Sequence, residues 1–416
     1  MRKFAWIFSI AFYSVSFTQQ LDYRESTAIL CSPELHGRGY VSGGDSLAAS
    51  YIAKSFRDIG LAAYPNSDFF QFFEFPVNTF PNKMEVIHGD RNLTPGIHFI
   101  VEPSSKGFSG ELNLKTVSVS ELYNQNLNFK NWPKNTGLIF RNFGYGGDTL
   151  KKVSQYLSKC AASIPIVEVV NAKFTWSVST TSHRNLYLQV QDSLFGSTPE
   201  KIKINIDSEF KKQHQTQNVI AYLPSKKKNE KTIVFSVHYD HLGRMGKDTY
   251  FPGANDNASG CSMLMYLANY FKKHPSKYNI LFIAFAGEEA GLIGSQYYVQ
   301  NPLFPLKDIR FLVNLDIMGS GEEGITAVNA TLFSKEFELL TKINKKKKYL
   351  KAIKSRGPAA NSDHYFFTEA GVPAFFIYTM GSNKNYHDVF DKYENLTFSA
   401  FENIGNLIID FVRKIN

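Results

Sequence analysis

Residues 232–260 contain the two runs that decide the fold, T-I-V-F-S-V-H-Y-D-H-L-G at 232–243 and G-A-N-D-N-A-S-G at 253–260. The first run opens with apolar, β-prone residues over the length of one strand, and the polar residues His238, Asp240 and His241 follow where that strand ends. In open α/β sheets, ligands bind in the crevice beyond the carboxyl ends of the strands. The pattern therefore predicts a metal or catalytic position here, and the second run adds the carboxylate of Asp256 between two glycines.

Beyond this stretch, apolar runs of strand length alternate with runs that have helical periodicity. An amphipathic helix is also predicted at 44–60, with Asp45 as its cap, and we expect it to pack on the same sheet. This alternation is typical of a three-layer α/β/α sandwich with a mostly parallel, mixed central sheet. The predicted strands are 233–238, 279–285, 309–315 and 374–378, and the predicted helices are 261–273, one from 290, 335–343 and one from 401.

The middle of the chain, residues 84–217, differs in character. Short β-rich runs are broken there by Gly, Pro, Asn and Ser, with one helical stretch at 150–162, and no motif in it carries recognisable chemistry. We therefore expect a β-rich inserted domain, flanked by an N-terminal part of the main domain at 21–83 and by its larger part at 218–416. Its expected role is to border the cleft of the main domain.

Four further motifs follow in order: F-A-G-E-E-A-G-L-I-G-S from 285, V-N-L-D-I-M-G from 313, S-D-H-Y-F-F from 362 and N-Y-H-D-V-F-D from 385. Together with the first stretch they resemble the zinc aminopeptidase and glutamate carboxypeptidase family of two-zinc exopeptidases. A weaker likeness, E-L-H-G-R-G at 34–39, extends the resemblance toward the N-terminus. The inserted domain looks like the protease-associated insertion that some members of this family carry.

The resemblance implies a pair of zinc ions. Imidazole and carboxylate groups are ordinary zinc ligands, and two ions a few Å apart need a carboxylate that bridges them. By resemblance the ligands are His238 and Asp316 for one ion, Glu289 and His387 for the other, and Asp256 as the bridge.

Other residues receive supporting roles. The resemblance makes Glu288 the general base that takes a proton from the attacking water, and Tyr386 a hydrogen-bond donor to the tetrahedral oxyanion. Asp240 is placed to accept the second ring proton of His238, which would fix the tautomer of that ring. His364 belongs to a family motif that lines the pocket, and His241 is expected to be structural or to contact a ligand.

These observations predict a metallopeptidase that acts on peptide substrates, most simply an aminopeptidase that releases N-terminal residues. A carboxypeptidase-type exopeptidase is not excluded by the sequence. A single-zinc acyltransferase similar to glutaminyl cyclases shares the fold but would not need His238 as a ligand, and a non-catalytic binding module would be expected to have lost ligands or the base. Metal content tests the acyltransferase, and turnover of an aminoacyl reporter tests the binding module.

The N-terminus has the outline of a secretory signal peptide, which we place at 1–20. Arg2 and Lys3 precede an apolar run at 4–12, and small residues follow at Ser14 and Ser16. No other apolar run approaches the roughly 18 residues of a membrane span. We therefore expect a secreted or periplasmic protein of a bacterial envelope, without a transmembrane segment after signal removal.

Composition bears on two further questions, whether disulfides stabilise the fold and whether nucleic acid is a partner. The three cysteines permit at most one disulfide, so the 416-residue chain must rely on its core. The formal charge of +9 raises the question of nucleic acid as a partner. However, the basic runs at 226–228 and 345–348 lack interleaved aromatic residues and a recognition helix, so we expect solvated loops and no nucleic-acid partner.

Overall fold

The computed structural model describes residues 22–125, 127–194, 201–227 and 231–416. These residues form two eight-stranded sheets and a two-stranded hairpin. The predicted signal segment, 1–20, lies outside the described residues. The strands in chain order are β1 (Phe70–Thr79), β2 (Met84–His88), β3 (Arg91–Leu93), β4 (Phe99–Val101), β5 (Phe108–Thr116), β6 (Thr136–Arg141), β7 (Ile166–Val170), β8 (Tyr187–Gln191), β9 (Lys201–Ile206), β10 (Glu209–Leu223), β11 (Thr232–His238), β12 (Arg244–Met245), β13 (Thr249–Tyr250), β14 (Asn279–Phe285), β15 (Ile309–Asp316), β16 (Gly324–Val328), β17 (Ile353–Ser355) and β18 (Ala374–Met380).

The first sheet has the spatial order β1-β10-β14-β11-β15-β18-β16-β17. Its four central strands β14, β11, β15 and β18 are parallel, whereas β10 pairs antiparallel with β14 and β16 pairs antiparallel with β18. Along β11, Ile233, Phe235 and Val237 enter the core on one face of the sheet and Val234 enters the core on the other. Both faces of β11 are therefore covered, which explains why its sequence is a continuous apolar run.

Helices cover both faces of the first sheet, so the predicted three-layer α/β/α arrangement is confirmed. The larger core lies beneath α1, α2, α5, α7 and α9, and the smaller core lies beneath α6 and α8. The helices of the described residues are α1 (Tyr23–Leu30), α2 (Gly44–Ile59), α3 (Val119–Tyr123), α4 (Gly147–Cys160), α5 (Gly260–Lys273), α6 (Ile293–Gln300), α7 (Ser334–Lys347), α8 (His364–Glu369) and α9 (Phe401–Lys414).

Helix α2 follows its sequence pattern closely but begins differently from the prediction. It ends where Gly60 adopts a left-handed backbone, φ 85°, and donates its N–H to the carbonyl of Arg57. At the other end the residue that precedes the helix is Gly43, and Asp45, predicted to be the cap, lies within the first turn. Its carboxylate instead contacts Nε2 of His214 at 2.8 Å, which ties α2 to β10.

The second sheet has the order β3-β2-β9-β5-β6-β7-β8-β4, and all its strands come from residues 84–206. The predicted end of this segment at 217 falls inside β10, which begins at Glu209 and pairs with β1 in the first sheet. One apolar core of the second sheet also contains Phe80, Met245, Phe251 and Val389, which lie outside its strands. The two sheets are therefore joined by packed side chains.

None of the helices in the described residues has the length and apolar character needed to cross a bilayer. Cys31, Cys160 and Cys261 are all buried free thiols.

Candidate metal centre

The five predicted ligands converge at the carboxyl edge of the parallel strands. His238 is the last residue of β11 and Asp316 is the last residue of β15. Glu289 lies in the loop after β14, and His387 lies in the loop after β18. Asp256 lies in the turn that leads into α5, and the peptide bond that joins it to Asn257 is cis. Parallel strands end at the same edge, so residues separated by up to 149 positions meet there.

Asp256 lies between the two imidazole rings. Its Oδ1 is 3.3 Å from Nε2 of His238, and its Oδ2 is 3.1 Å from Nε2 of His387. The side chain is almost fully buried. Burial alone would raise the pKa of Asp256, but the contacts with the two histidines hold that pKa well below its usual value. A carboxylate with one oxygen toward each ring has the arrangement that a bridging ligand requires.

The remaining two predicted ligands lie on either side of Asp256. Oδ2 of Asp316 is 3.5 Å from Nε2 of His238, and Oε2 of Glu289 is 3.2 Å from Nε2 of His387. The other oxygen of Glu289 contacts Nδ1 of His241 at 2.7 Å. His241, expected to be structural or to contact a ligand, therefore orients one of the predicted ligands.

The two histidines near Asp256 use their Nδ1 atoms in the same way. Nδ1 of His238 is 3.1 Å from the main-chain carbonyl of Asp240, and Nδ1 of His387 is 2.9 Å from the main-chain carbonyl of Trp176. A carbonyl only accepts, so each ring carries its proton on Nδ1 and leaves Nε2 free for a metal.

The role predicted for the carboxylate of Asp240 needs correction. That carboxylate is 3.8 Å from Nδ1 of His238, so the ring proton goes to the carbonyl of the same residue instead. The carboxylate accepts hydrogen bonds from the main-chain N–H groups of Glu288, at 3.2 Å, and Glu289, at 3.1 Å, and from Oη of Tyr40 at 2.5 Å. Asp240 therefore fixes the backbone of the adjacent glutamates and not the ring of His238.

Glu288 lies at the same centre. One ligand atom from each of His238, Glu288 and Asp316 lies within 4.8 Å of the others, as does one from each of His238, Asp256 and Glu289. Burial, followed by the charges of Glu289 and Asp363, raises the pKa of Glu288 well above its usual value, although His238 acts in the opposite direction. The geometry alone thus allows Glu288 to act either as a proton acceptor or as a metal ligand.

Tyr386 and His364 have different positions. The ring of Tyr386 stacks on the ring of His387 with 3.9 Å between centroids, and its side chain is 47% exposed, so it faces the open side of the centre. The ring of His364 lies against Phe376 and borders a cavity of about 220 Å³ beside Tyr365. Among the described residues no hydrogen bond or ion pair joins His364 to any of the five predicted ligands, and its place in the lining of the pocket stays a prediction.

Arg38 is a supporting residue that the sequence did not identify. It is fully buried, and its guanidinium donates only to main-chain carbonyls. Neighbouring Gly37 and Gly39 press against the backbone of Gly243, which leaves no room for a Cβ atom at either position. The E-L-H-G-R-G motif therefore holds the loops around Asp256 in place. The acceptors are the carbonyls of Tyr239 at 2.8 Å, Leu30 at 2.9 Å, Pro252 at 2.8 Å, Gly253 at 2.8 Å and Asp256 at 3.2 Å.

Asp391 is a second such residue. Its carboxylate accepts from the main-chain N–H of Asn255 at 3.0 Å and from that of Asp256 at 3.0 Å. It belongs to the N-Y-H-D-V-F-D motif, so the loop that carries His387 also fixes the backbone of Asp256. Signals for both supporting residues were present, since each lies in a run that carries the family resemblance.

The donor set fits zinc. It consists of two imidazole nitrogens and three carboxylates, and Oδ1 of Asp316 is buried without a hydrogen-bond partner. The carboxylates of Asp256, Glu288, Glu289 and Asp316 lie together in a buried region, where uncompensated like charges are costly. Divalent cations at this position would offset that repulsion and satisfy the unpaired oxygen.

Part of the chain matches a known protein family. Residues 218–412 match the family described as Peptidase family M28. Aminopeptidase YwaD from Bacillus subtilis is 29% identical over 202 residues, which are 46% of this chain and 43% of that protein. The match therefore spans less than half of the length of that relative.

Two solved structures share the fold along nearly the whole chain. A zinc aminopeptidase from Bacillus subtilis superposes with a TM-score of 0.70 at 20% identity, covering 95% of this chain and 96% of that one. An aminopeptidase from Aneurinibacillus sp. strain AM-1 gives a TM-score of 0.63 at 18% identity, covering 96% and 95%. The residues that match the family model include every predicted ligand, so the region 218–412 is similar to peptidase family M28, and the two solved structures show that the chain shares their fold.

Proposed function

We propose that this protein is an exported two-zinc aminopeptidase that releases N-terminal residues from peptides. The observation that carries the proposal is the position of Asp256, which has one carboxylate oxygen toward Nε2 of His238 and the other toward Nε2 of His387. A carboxylate with one oxygen toward each of two separate rings has the arrangement of a bridge between two ions. His238 and Asp316 would hold one zinc ion, Glu289 and His387 the other, and Asp256 would bridge them.

When bound, zinc would polarise the scissile carbonyl and lower the pKa of a water molecule. Glu288 takes the proton of the attacking water and delivers it to the leaving amine. Its backbone N–H is held by Asp240, so its position relative to Glu289 is fixed. Adjacent glutamates can thereby serve two functions, one as the proton acceptor and the other as a ligand.

Tyr386 supplies the remaining polar group. Burial and the neighbouring carboxylates, Asp256 first among them, keep the pKa of Tyr386 well above its usual value, so its hydroxyl remains a donor at neutral pH. It donates a hydrogen bond to the oxyanion that forms on the substrate carbonyl. Stacking on His387 restrains the Tyr386 ring.

The test is made with the purified protein and one set of peptides, each prepared unblocked and N-acetylated. We expect about two zinc ions per chain by elemental analysis, release of N-terminal residues from the unblocked peptides alone, and loss of activity after chelation. Release of C-terminal residues from both forms would instead support a carboxypeptidase. One tightly held metal with full activity would support the single-zinc acyltransferase, and no turnover of any aminoacyl reporter would support a binding module.

Export is part of the proposal and depends on the N-terminal sequence. The charged residues Arg2 and Lys3, the apolar run at 4–12 and the small residues that follow have the order of a secretory signal. We expect the mature chain to begin between Phe17 and Asp22 and to be found outside the cytoplasm. Mass spectrometry of the native N-terminus measures this, and an intact Met1 in a cytosolic fraction would contradict it.

A further inference from the structure

The loop between β7 and β8 of the second sheet contacts the loop that carries His387. Lys173 and Trp176 lie in the first loop, and residues 384–389 form the second. The contacts between them consist of hydrogen bonds to main-chain carbonyls, an ion pair and apolar packing. Each of the three acts on His387 or on a residue within three positions of it.

Two hydrogen bonds join Trp176 and His387, and each residue donates one of them. The N–H of Trp176 donates to the carbonyl of His387 at 2.9 Å, and Nδ1 of His387 donates to the carbonyl of Trp176, also at 2.9 Å. The first bond fixes the backbone of His387, and the second fixes the orientation and tautomer of its ring. In both bonds the partner of His387 is the main chain of Trp176.

Trp176 is itself held firmly. Its Nε1 donates to the carbonyl of Val101 in β4 at 2.7 Å, and its ring stacks on Phe251 with 4.6 Å between centroids. The side chain is only 4% exposed. A buried tryptophan with its N–H satisfied provides a rigid support for the carbonyl that His387 uses.

Lys173 stabilises the same loop by charge. Its Nζ forms an ion pair with the carboxylate of Asp388 and donates to the carbonyl of Lys384 at 2.8 Å. The Asp388 side chain is 2% exposed and accepts from the main-chain N–H of Tyr386 at 3.3 Å and of Phe390 at 2.7 Å. Removal of Lys173 would leave a buried carboxylate without its cation, next to His387 in sequence.

The loop needs this support for two reasons. It contains no helix or strand, and His387 has a left-handed backbone with φ 53°, a conformation that costs a non-glycine residue about 1–3 kcal/mol. Such a conformation persists where the surroundings impose it. Val389, packed in the core of the second sheet, adds the third contact.

We propose that the second sheet positions His387, and through it one of the two metal sites, by means of the Trp176 carbonyl and the Lys173 ion pair. The inference rests on the proposed two-zinc centre. It gives the second sheet a specific task beyond bordering the cleft. Within the part of the chain that the structure describes, Nδ1 of His238 bonds instead to a carbonyl two residues away. The second sheet should therefore affect one metal site and leave the other unchanged.

The test compares Lys173→Met with Lys201→Met in the full-length protein. Lys201 forms an exposed ion pair with Glu111 on the same sheet, far in sequence from the loop around His387. Zinc affinity is measured by competition with a chelator, which resolves the two binding steps. We expect Lys173→Met to weaken one step about 10-fold to 100-fold, the range for loss of a group that orients a ligand, with the other step unchanged. Lys201→Met should bind like the parent.

A second variant distinguishes positioning from general loosening. Adding Asp388→Asn to Lys173→Met removes the uncompensated charge, and we expect it to recover part of the lost zinc affinity. Unchanged affinity in Lys173→Met would overturn the inference, as would equal weakening of both steps together with a lower Tm. If the parent protein itself binds no zinc, the proposed two-zinc function fails. If the parent binds two zinc ions and Lys173→Met binds them equally well, only the present inference fails.

Discussion

His238 and His387 face the same carboxylate with the same ring atom, yet they are held by different means. His238 ends a buried parallel strand, and its Nδ1 proton goes to a carbonyl two residues further along the chain. His387 lies in a loop, and its Nδ1 proton goes to a carbonyl 211 residues away. One half of the centre is built by the first sheet alone, whereas the other half depends on two sheets being docked. Identical ligand chemistry therefore does not imply identical stability.

The largest effect should come from the adjacent glutamates, because we propose that Glu288 accepts a proton and that Glu289 binds metal. Glu288→Gln should keep both zinc ions and lose at least about 100-fold in kcat, since an amide cannot accept the proton of water. Glu289→Gln should instead lose zinc from the His387 half and keep zinc in the His238 half. Metal stoichiometry and single-turnover rates measure both outcomes.

The same two variants also test which of the two glutamates is the metal ligand. Because Glu288 lies within 4.8 Å of His238 and Asp316, a role as a ligand is geometrically open. If Glu288→Gln lost metal and Glu289→Gln kept it, Glu288 would be the ligand and Glu289 the proton acceptor.

The next effect concerns the loops beneath Asp256. Arg38→Met should destabilise the protein by about 3 kcal/mol or more, because it leaves buried carbonyls without their donor and removes a buried cation from an acidic region. We expect Arg38→Lys to restore only part of this loss, since an ammonium has fewer donors than the five-donor guanidinium fork. The free energy of unfolding in urea measures both variants.

Arg310→Met provides the matched control. Arg310 is partly exposed and pairs with Glu336 at 3.2 Å, so its loss should change the free energy of unfolding by about 1 kcal/mol or less. Equal effects of the substitutions at positions 38 and 310 would show that Arg38 does not hold the loops around Asp256.

The smallest effect should come from Tyr40, which supports the link between the two halves. Tyr40→Phe removes the 2.5 Å hydrogen bond to Asp240, whose carboxylate extends from the end of β11 to the backbone of Glu288 and Glu289. We expect a loss of about 1.5 kcal/mol in unfolding free energy. Tyr349→Phe, which removes a less buried bond to Asp410, should cost about 0.5 kcal/mol or less. Similar values for the two variants would argue that Asp240 is held without Tyr40.

The sequence predicted well the strand-built half of the centre, which consists of His238 and Asp316 at the ends of β11 and β15. The run 232–238 is apolar at every position but two before its histidine, so its strand length and the position of His238 at the strand end follow from local pattern. The central strands were predicted to within a few residues because both of their faces are buried. Convergence of the five predicted ligands follows from parallel strands ending at one edge.

Three contacts that support the centre could not be predicted from the sequence. The partner of His387 is a main-chain carbonyl, which any residue at position 176 could offer, so no side-chain pattern marks it. The E-L-H-G-R-G likeness marked the run that contains Arg38, but the partners of this side chain were not predicted, because they are backbone atoms. The carboxylate of Asp240 was assigned to the wrong partner, since a sequence cannot distinguish a bond to a nearby ring from bonds to N–H groups 48 and 49 positions away.

The distance along the chain between Trp176 and His387 also sets an order in time. A ribosome makes the second sheet, then His238, Asp256, Glu289 and Asp316, and adds the last imidazole only after β18. A nascent chain that has emerged as far as Asp316 contains Lys173 and Trp176, yet it lacks the loop around His387 that they contact. The proposed metal centre can therefore be completed only near the end of translation.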